Sequence, residues 1–220
     1  MNVPAYTALA VETTSATGSL SLGKIGLKAE ILASRSWLKR STHSEVITLE
    51  LSSALQEAKL ELKDLTHLAL DIGPGSFTGI RVGLNLVRSL SYALNIPVHL
   101  FCSLEVFAFL ELKPHEKIIV NIQAVQNFVY AAAYERTESV LRPLSEPRSF
   151  DPKGLENLRT ETKVERIFKP ALEPNSETLL EMLAFGPNLT FVPWSSVLPL
   201  YIRQSEAEEK LRKGLLKPLF

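Results

Sequence analysis

Apolar and polar positions separate strands from helices along the first hundred residues. Tyr6-Thr-Ala-Leu-Ala-Val11 is a near-continuous apolar run and predicts a buried strand. Gly18-Ser-Leu-Ser-Leu22 alternates, and residues 28–34 offer a third strand. Short loops at 13–17 and 23–26 join them, so a three-stranded meander is expected. Thr42-His-Ser-Glu45 then has the spacing of a capping box, and the spacing predicts a helix over 43–58. Ile47, Leu51, Ala54, Leu55 and Ala58 form its core stripe, while Val46, Leu49 and Ser53 lie on another side. A strand over 65–72 follows, then Gly73-Pro-Gly-Ser-Phe-Thr-Gly79, then a helix over 80–94.

That second helix is unusually apolar. Ile80, Val82, Leu84, Leu86, Val87, Leu90, Ala93 and Leu94 span an arc of roughly 200°, against the ~100° or more of an ordinary surface helix. Arg81, Asn85, Arg88, Ser89 and Tyr92 mark its polar side. Gly83 sits inside the arc at a cost of about 1 kcal/mol relative to Ala, so something must approach closely there. Half of the arc can pack on a sheet. The other half needs a cover, either a second layer of this chain or a partner helix.

The pattern continues with a strand at 97–101, a helix at 104–110, and strands at 117–124, 127–134 and 140–144. Helices near 152–159 and 177–185, a strand near 165–168, a loop over 193–199 and a tail helix over 205–216 complete the expectation. The partial repetition suggests two related lobes, residues 1–103 and 104–220, the second reduced.

Composition changes this picture little. The 220 residues are 45% hydrophobic and 22% charged, with a formal net charge of zero, so no global field draws the chain toward nucleic acid or membrane. The basic cluster Lys210-Leu-Arg-Lys213, preceded by glutamates, reads as a solvated helix face. One cysteine, Cys102, excludes an internal disulfide. No stretch approaches 18 apolar residues and no leader pattern opens the chain, so a cytoplasmic location is expected.

Candidate chemistry concentrates in two turns. Strand, glycine loop and helix start are the parts of an anion cradle, which marks Gly73, Gly75, Ser76, Thr78 and Gly79. The loop nevertheless lacks the lysine of a P-loop, and its third glycine misses the dinucleotide spacing by one. Ser76 lacks the glycine two residues earlier that a nucleophile elbow needs. Phosphate binding and a tight helix cap made by Ser76 and Thr78 both remain open. Glu12-Thr-Thr-Ser15 could hold Mg²⁺ beside ATP phosphates, although Thr14 stands where phosphate-binding relatives carry glycine. His43, His67, His99 and His115 form no metal-binding pair, and no metal site is expected.

Taken together, these residues resemble the TsaB (YeaZ) family of bacterial tRNA threonylcarbamoyladenosine synthesis. The landmarks are Leu9-Ala-Val-Glu-Thr-Thr14, His43-Ser-Glu45, Gly73-Pro-Gly-Ser-Phe-Thr-Gly-Ile-Arg-Val-Gly83-Leu, Ala93-Leu-Asn-Ile-Pro97, Ser103-Leu-Glu105 and Pro199-Leu-Tyr-Ile-Arg203. The resemblance implies an α/β, actin/Hsp70-like (ASKHA) fold of two lobes, each with a mixed sheet and helices. It implies a non-catalytic scaffold with no cofactor, which pairs with the catalytic TsaD subunit and through it with the ATPase TsaE, touching tRNA only indirectly. TsaD holds its metal through a His-x-x-x-His pair where this chain has Ser103-Leu-Glu-Val-Phe107. In the family two helices pack against the same pair in TsaD or in a second copy. That places Val46, Leu49, Ser53, Ile80, Arg81, Gly83, Leu84, Val87 and Arg88 in an interface, and leaves homodimer and monomer both open for the isolated chain. One landmark departs: the family's Asp-Ala-Arg-x-Gly-Glu-Val-Tyr is here Gln123-Ala-Val-Gln-Asn-Phe-Val-Tyr130. The rival readings are an actin-fold ATPase or small-molecule kinase using Glu12 and the glycine loop, and a peptidase, for which the chain offers no nucleophile–base motif.

Overall fold

The computed structural model describes residues 5–38, 43–124, 126–185 and 189–202. Two sheets share one set of helices between them. The first has six strands: β1 (Tyr6–Glu12), β2 (Thr17–Ile25), β3 (Ala29–Leu38), β4 (His67–Asp71), β5 (Val98–Phe101) and β11 (Phe191–Val192). Their order is β11-β5-β4-β1-β2-β3, with β1, β4 and β5 parallel and the others antiparallel to their neighbours. The second sheet carries β6 (Lys117–Gln123), β7 (Val129–Arg136), β8 (Leu141–Pro143), β9 (Arg148–Phe150) and β10 (Ile167–Phe168).

Central β1 is buried on both faces, as a strand between two helical layers must be. Leu9 and Val11 point into a core shared with α1 (His43–Ala58) and α2 (Phe77–Leu94). Ala8 and Ala10 face α5 (Ser176–Phe185), where Leu179, Leu180, Met182 and Leu183 are buried. Small residues on that face let α5 lie close: a Cβ on Gly23 would come within 2.9 Å of Leu180 Cδ1. Helix α3 (Ser103–Glu111) sets Leu104, Phe107 and Ala108 on Ile118, Val120, Ala132 and Tyr134 of the second sheet. The far face of that sheet is covered by Leu158 of α4 (Pro152–Thr162) and by Val164. Each fully buried Leu, Ile or Phe in these layers stabilises the fold by about 1.5–3 kcal/mol.

Two lobes are therefore present, but the expected split at residue 103 fails for the end of the chain. After the second sheet, α5 returns to cover the face of the first sheet opposite α1 and α2, β11 extends the sheet beside β5, and Val197 joins the core on the α1–α2 side. The expected loop at 193–199 includes a short 3-10 turn, Trp194–Ser196, and Leu200 N–H donates to Ile72 O at 3.0 Å. Thr42 of the proposed capping box and the tail over 205–216 lie outside the described residues.

The apolar arc of α2 finds much of its cover inside this chain. Ile80, Gly83, Leu84 and Val87 are buried against β1 and β4. Val82, Leu86 and Leu90 are half-buried against the same core. Trp194 sits edge-on to Tyr92, and Tyr201 stacks on Phe77, so residues 194–202 run along the helix. These residues border the flank of α2 that carries Phe77, Arg81, Arg88 and Tyr92, while the flank with Val82, Leu86 and Leu90 stays partly open.

Candidate functional site

The carboxyl ends of the parallel strands β1, β4 and β5 meet at one point, as they do at ligand sites of open α/β sheets. They deliver Glu12, Asp71 and, one residue past Cys102, Ser103. Glu12 and Asp71 have no exposed surface at all. The turn after β1 folds back on Glu12: Thr14 N–H and Oγ donate to Glu12 Oε1 at 2.5 and 2.7 Å, and Ser15 Oγ donates to Oε2 at 3.1 Å. Asp71 Oδ1 accepts from Gly73 N–H and from Ser103 Oγ, each at 2.8 Å.

Burial pushes the Glu12 carboxyl up to about 7, only partly offset by its hydrogen bonds to Thr14 and Ser15. Asp71 is held well above the usual carboxylate range by burial first and by the Glu12 charge second. The geometry agrees, because Thr14 Oγ lies 2.7 Å from Glu12 and 3.4 Å from Asp71 and owns one hydrogen. A proton on either carboxyl lets both contacts form. Both carboxyls thus spend their oxygens on donors of the protein, and no group of three or more potential metal ligands occurs among the described residues.

The glycine loop packs backbone to backbone against the same turn. A Cβ on Gly79 would lie 1.8 Å from Thr13 O, and one on Gly75 would lie 2.4 Å from Thr14 O. Gly73 takes φ of +103°, which favours glycine. Four of the loop's N–H groups have partners within the chain: Gly73 has Asp71, Ser76 has Thr14 O at 2.6 Å, Gly79 has Ser76 Oγ at 3.3 Å, and Ile80 has Ser76 O. The glycines admit a neighbouring turn where an anion was considered. Ser76 caps α2 as expected, whereas Thr78 is exposed in the first turn of the helix.

A cavity of about 270 Å³ opens beside this knot. Thr14, Ser15, Gly75 and Ser103 form one wall, and Lys169, Leu172 and Glu173 from the second lobe form the other. Composition and spacing pointed to Glu12 and the loop but missed Asp71, Ser103, Lys169 and Glu173. A signal existed for the first two, since each stands at the carboxyl end of an apolar strand that precedes a helix.

The nine interface candidates divide. Ile80, Gly83, Leu84 and Val87 face inward, because α2 spans β1 and β4 with its most apolar side down. The close neighbour of Gly83 is Thr13 Oγ1, 2.5 Å from a Cβ built there, not a second protein. Ser53 Oγ accepts from Arg35 Nη2 of β3 at 3.3 Å. At 100° per residue Val46 shares that flank of α1, which looks toward edge strand β3 and away from α2. Leu49 is 70% exposed, Arg81 is exposed over the Phe77 ring at 4.8 Å, and Arg88 lies 5.9 Å over Trp194. The departing hairpin at 123–130 closes through Ala124 N–H to Phe128 O at 3.0 Å and is mostly exposed. Cys102 is a free thiol pushed up to about 12 by burial. No helix among the described residues is long and apolar enough to cross a membrane.

Comparison with known proteins was made on this basis. A family model described as TsaD, tRNA N6-adenosine threonylcarbamoyltransferase, matches residues 36–208. A Mycobacterium leprae protein of uncharacterized role is 28% identical over 205 residues, covering 91% of this chain and 55% of its own length. The tRNA threonylcarbamoyladenosine biosynthesis protein TsaB of Buchnera aphidicola (from Schizaphis graminum) is 33% identical over 116 residues, 52% of this chain and 55% of that one. The chain thus spans about half the length of these curated relatives. The structure of YeaZ from Pseudomonas aeruginosa superimposes with a TM-score of 0.70 at 23% identity, over 89% of this chain and 99% of that one. The fold is the two-lobed actin/Hsp70-like one expected from the sequence.

Proposed function

The chain belongs to the TsaD family of tRNA N6-adenosine threonylcarbamoyltransferases as a TsaB/YeaZ-type member, and from that membership we propose that it is a non-catalytic partner subunit in making N6-threonylcarbamoyladenosine on tRNA. Its catalytic partner is a TsaD-like subunit, with a TsaE-like ATPase joining the larger assembly. Relatives that carry the TsaB name support the pathway.

One observation of the molecule carries the pairing surface. The α1–α2 layer leaves Leu49 of α1 at 70% and Tyr92 of α2 at 68% exposure, with Arg81 and Arg88 of α2 resting on aromatic rings. Arginine and aromatic side chains of this kind dominate the energetics of protein interfaces. Leu49 carries the patch onto α1, and Val46 and Ser53 border it on the β3 side. Ile80, Gly83, Leu84 and Val87 serve it as the rigid backing that holds α2 on the sheet.

Co-purification of the full chain with the TsaD-like subunit of the same cell tests the reading. Leu49→Asp and Arg81→Glu are expected to weaken pairing at least about tenfold, a hot-spot loss of more than 1 kcal/mol each, with unchanged melting temperature. Unchanged pairing in both variants, or none by the parent chain at micromolar concentration, overturns it.

A further inference from the structure

Strand β11 closes one edge of the first sheet with only two residues, and the chain that follows it runs along α2. Its register against β5 pairs Phe191 with His99 and Val192 with Val98. So short a ladder holds weakly, and ring contacts supply the rest. The Phe191 ring lies 4.9 Å from the His67 ring, 5.6 Å from that of His99 and 6.3 Å from Tyr6. His99 Nδ1–H also donates to Thr190 O at 2.8 Å. Past the strand, Val197 is fully buried in the α1–α2 core, and Leu200 N–H donates to Ile72 O.

Both imidazoles project from one face of the sheet, because Ala69 is the register partner of His99 and His67 stands two residues before it on β4. What surrounds them is neutral: Tyr6 of β1, Phe101 of β5 and Phe191 of β11, with Met182 and Leu183 of α5 packed on the same cluster of rings. The carboxylates of α5, Glu177 and Glu181, are exposed. Among the described residues neither histidine has an ion-pair partner. A proton on either ring puts a charge where no carboxylate meets it, and a proton on both sets two like charges beside one phenyl ring. Burial holds both imidazoles below their ordinary value of 6.5, and the bond to Thr190 O offsets this for His99 only in part. We propose that His67 and His99 form an acid-operated latch on residues 190–202: neutral, they clamp Phe191 to the first sheet, and protonated, they let β11 lift from β5 and slacken the segment on α2. The released state takes up protons at the ordinary value and the latched state only at lower pH. The latch is therefore at full strength above 6.5 and weakens as pH falls through it. This goes beyond the pairing reading and stands without it, although release would draw Trp194 away from Arg88.

Hydrogen exchange of the full chain at pH 5 and pH 8 tests this, read at the Val197 and Leu200 amides and corrected for the intrinsic pH dependence of exchange. The parent is expected to open this segment at least about tenfold more often at pH 5. Global unfolding does not imitate that result, since the Glu12 carboxyl favours the folded state at the lower pH. The double variant His67→Asn/His99→Asn keeps a donor near each Nδ1 and cannot titrate, so it should open equally at both pH values, with a thermal melt to establish that it is folded. His115→Asn, at the exposed pair with Glu138, should follow the parent. The His67 and His99 ring resonances of the parent give a readout that needs no variant: they should titrate below the ordinary value and in step with the opening. Equal opening of the parent at both pH values overturns the proposal. So does a folded double variant as pH-sensitive as the parent, or rings that titrate while the segment stays closed. Pairing with a TsaD-like subunit is not read in this assay, so the two proposals fail separately.

Discussion

Gly83→Ala separates a glycine kept for the core from one kept for a partner. Alanine is the better helix former by about 1 kcal/mol, so an exposed or partner-facing Gly83 would gain stability on substitution. Here the new methyl lands 2.5 Å from Thr13 Oγ1 and 3.1 Å from Leu70 Cδ1. Thr13 cannot simply turn away, because its hydroxyl donates to Gly79 O at 2.8 Å and holds the β1 turn to the first turn of α2. Overpacking of this kind costs about 1–3 kcal/mol, and loss of the buried hydrogen bond adds about 0.5–1.5 kcal/mol. Set against the helix gain, the net loss is about 2 kcal/mol, or about 4–8 °C in Tm for a chain of this size. Calorimetry of the purified protein measures it, and Thr13→Ala in the same background should recover part of the loss. A Tm that is unchanged or higher, with pairing abolished, refutes the placement of Gly83 in the core and restores it to the interface.

The buried carboxyls predict a pH dependence of definite sign. Glu12 binds its proton up to about pH 7 when folded but only to its ordinary value of 4.5 when unfolded, so stability falls as pH rises across that window and the full loss is reached above it. Urea unfolding at pH 5 and pH 8 should show Glu12→Gln losing up to about 3 kcal/mol of this difference, and a variant as pH-sensitive as the parent counts against the reading. With its thiol pushed up to about 12, Cys102 should react with a disulfide reagent at pH 8 about a thousandfold more slowly than an ordinary cysteine. Rapid labelling of the folded protein would contradict the burial described.

Much of the fold was legible because it is written in local periods. The meander β1–β3, the helices α1 and α2 and the glycine turn depend on side-chain alternation, on the 3.6-residue repeat and on φ preferences that neighbours in sequence enforce. The helix over 43–58 matches its expected bounds, and that over 80–94 begins one turn early because Ser76 caps it. Even the need for a close approach at Gly83 could be read from a helix that tolerates the glycine.

What approached it could not. Periodicity states that a face is buried without saying by whom, so for Gly83 the sheet, a second layer of this chain and a partner helix were equivalent neighbours until the chain was folded. The same limit hid the site. Glu12, Asp71 and Ser103 are far apart in sequence, and parallel pairing of β1, β4 and β5 brings their ends together. Glu173 reaches Ala16 and Thr17 only because α5 must cover the first sheet and drags residues 169–174 across the cleft. Local sequence determined the elements and their buried sides; long-range strand pairing and the demand to cover both faces of a sheet decided which residues meet.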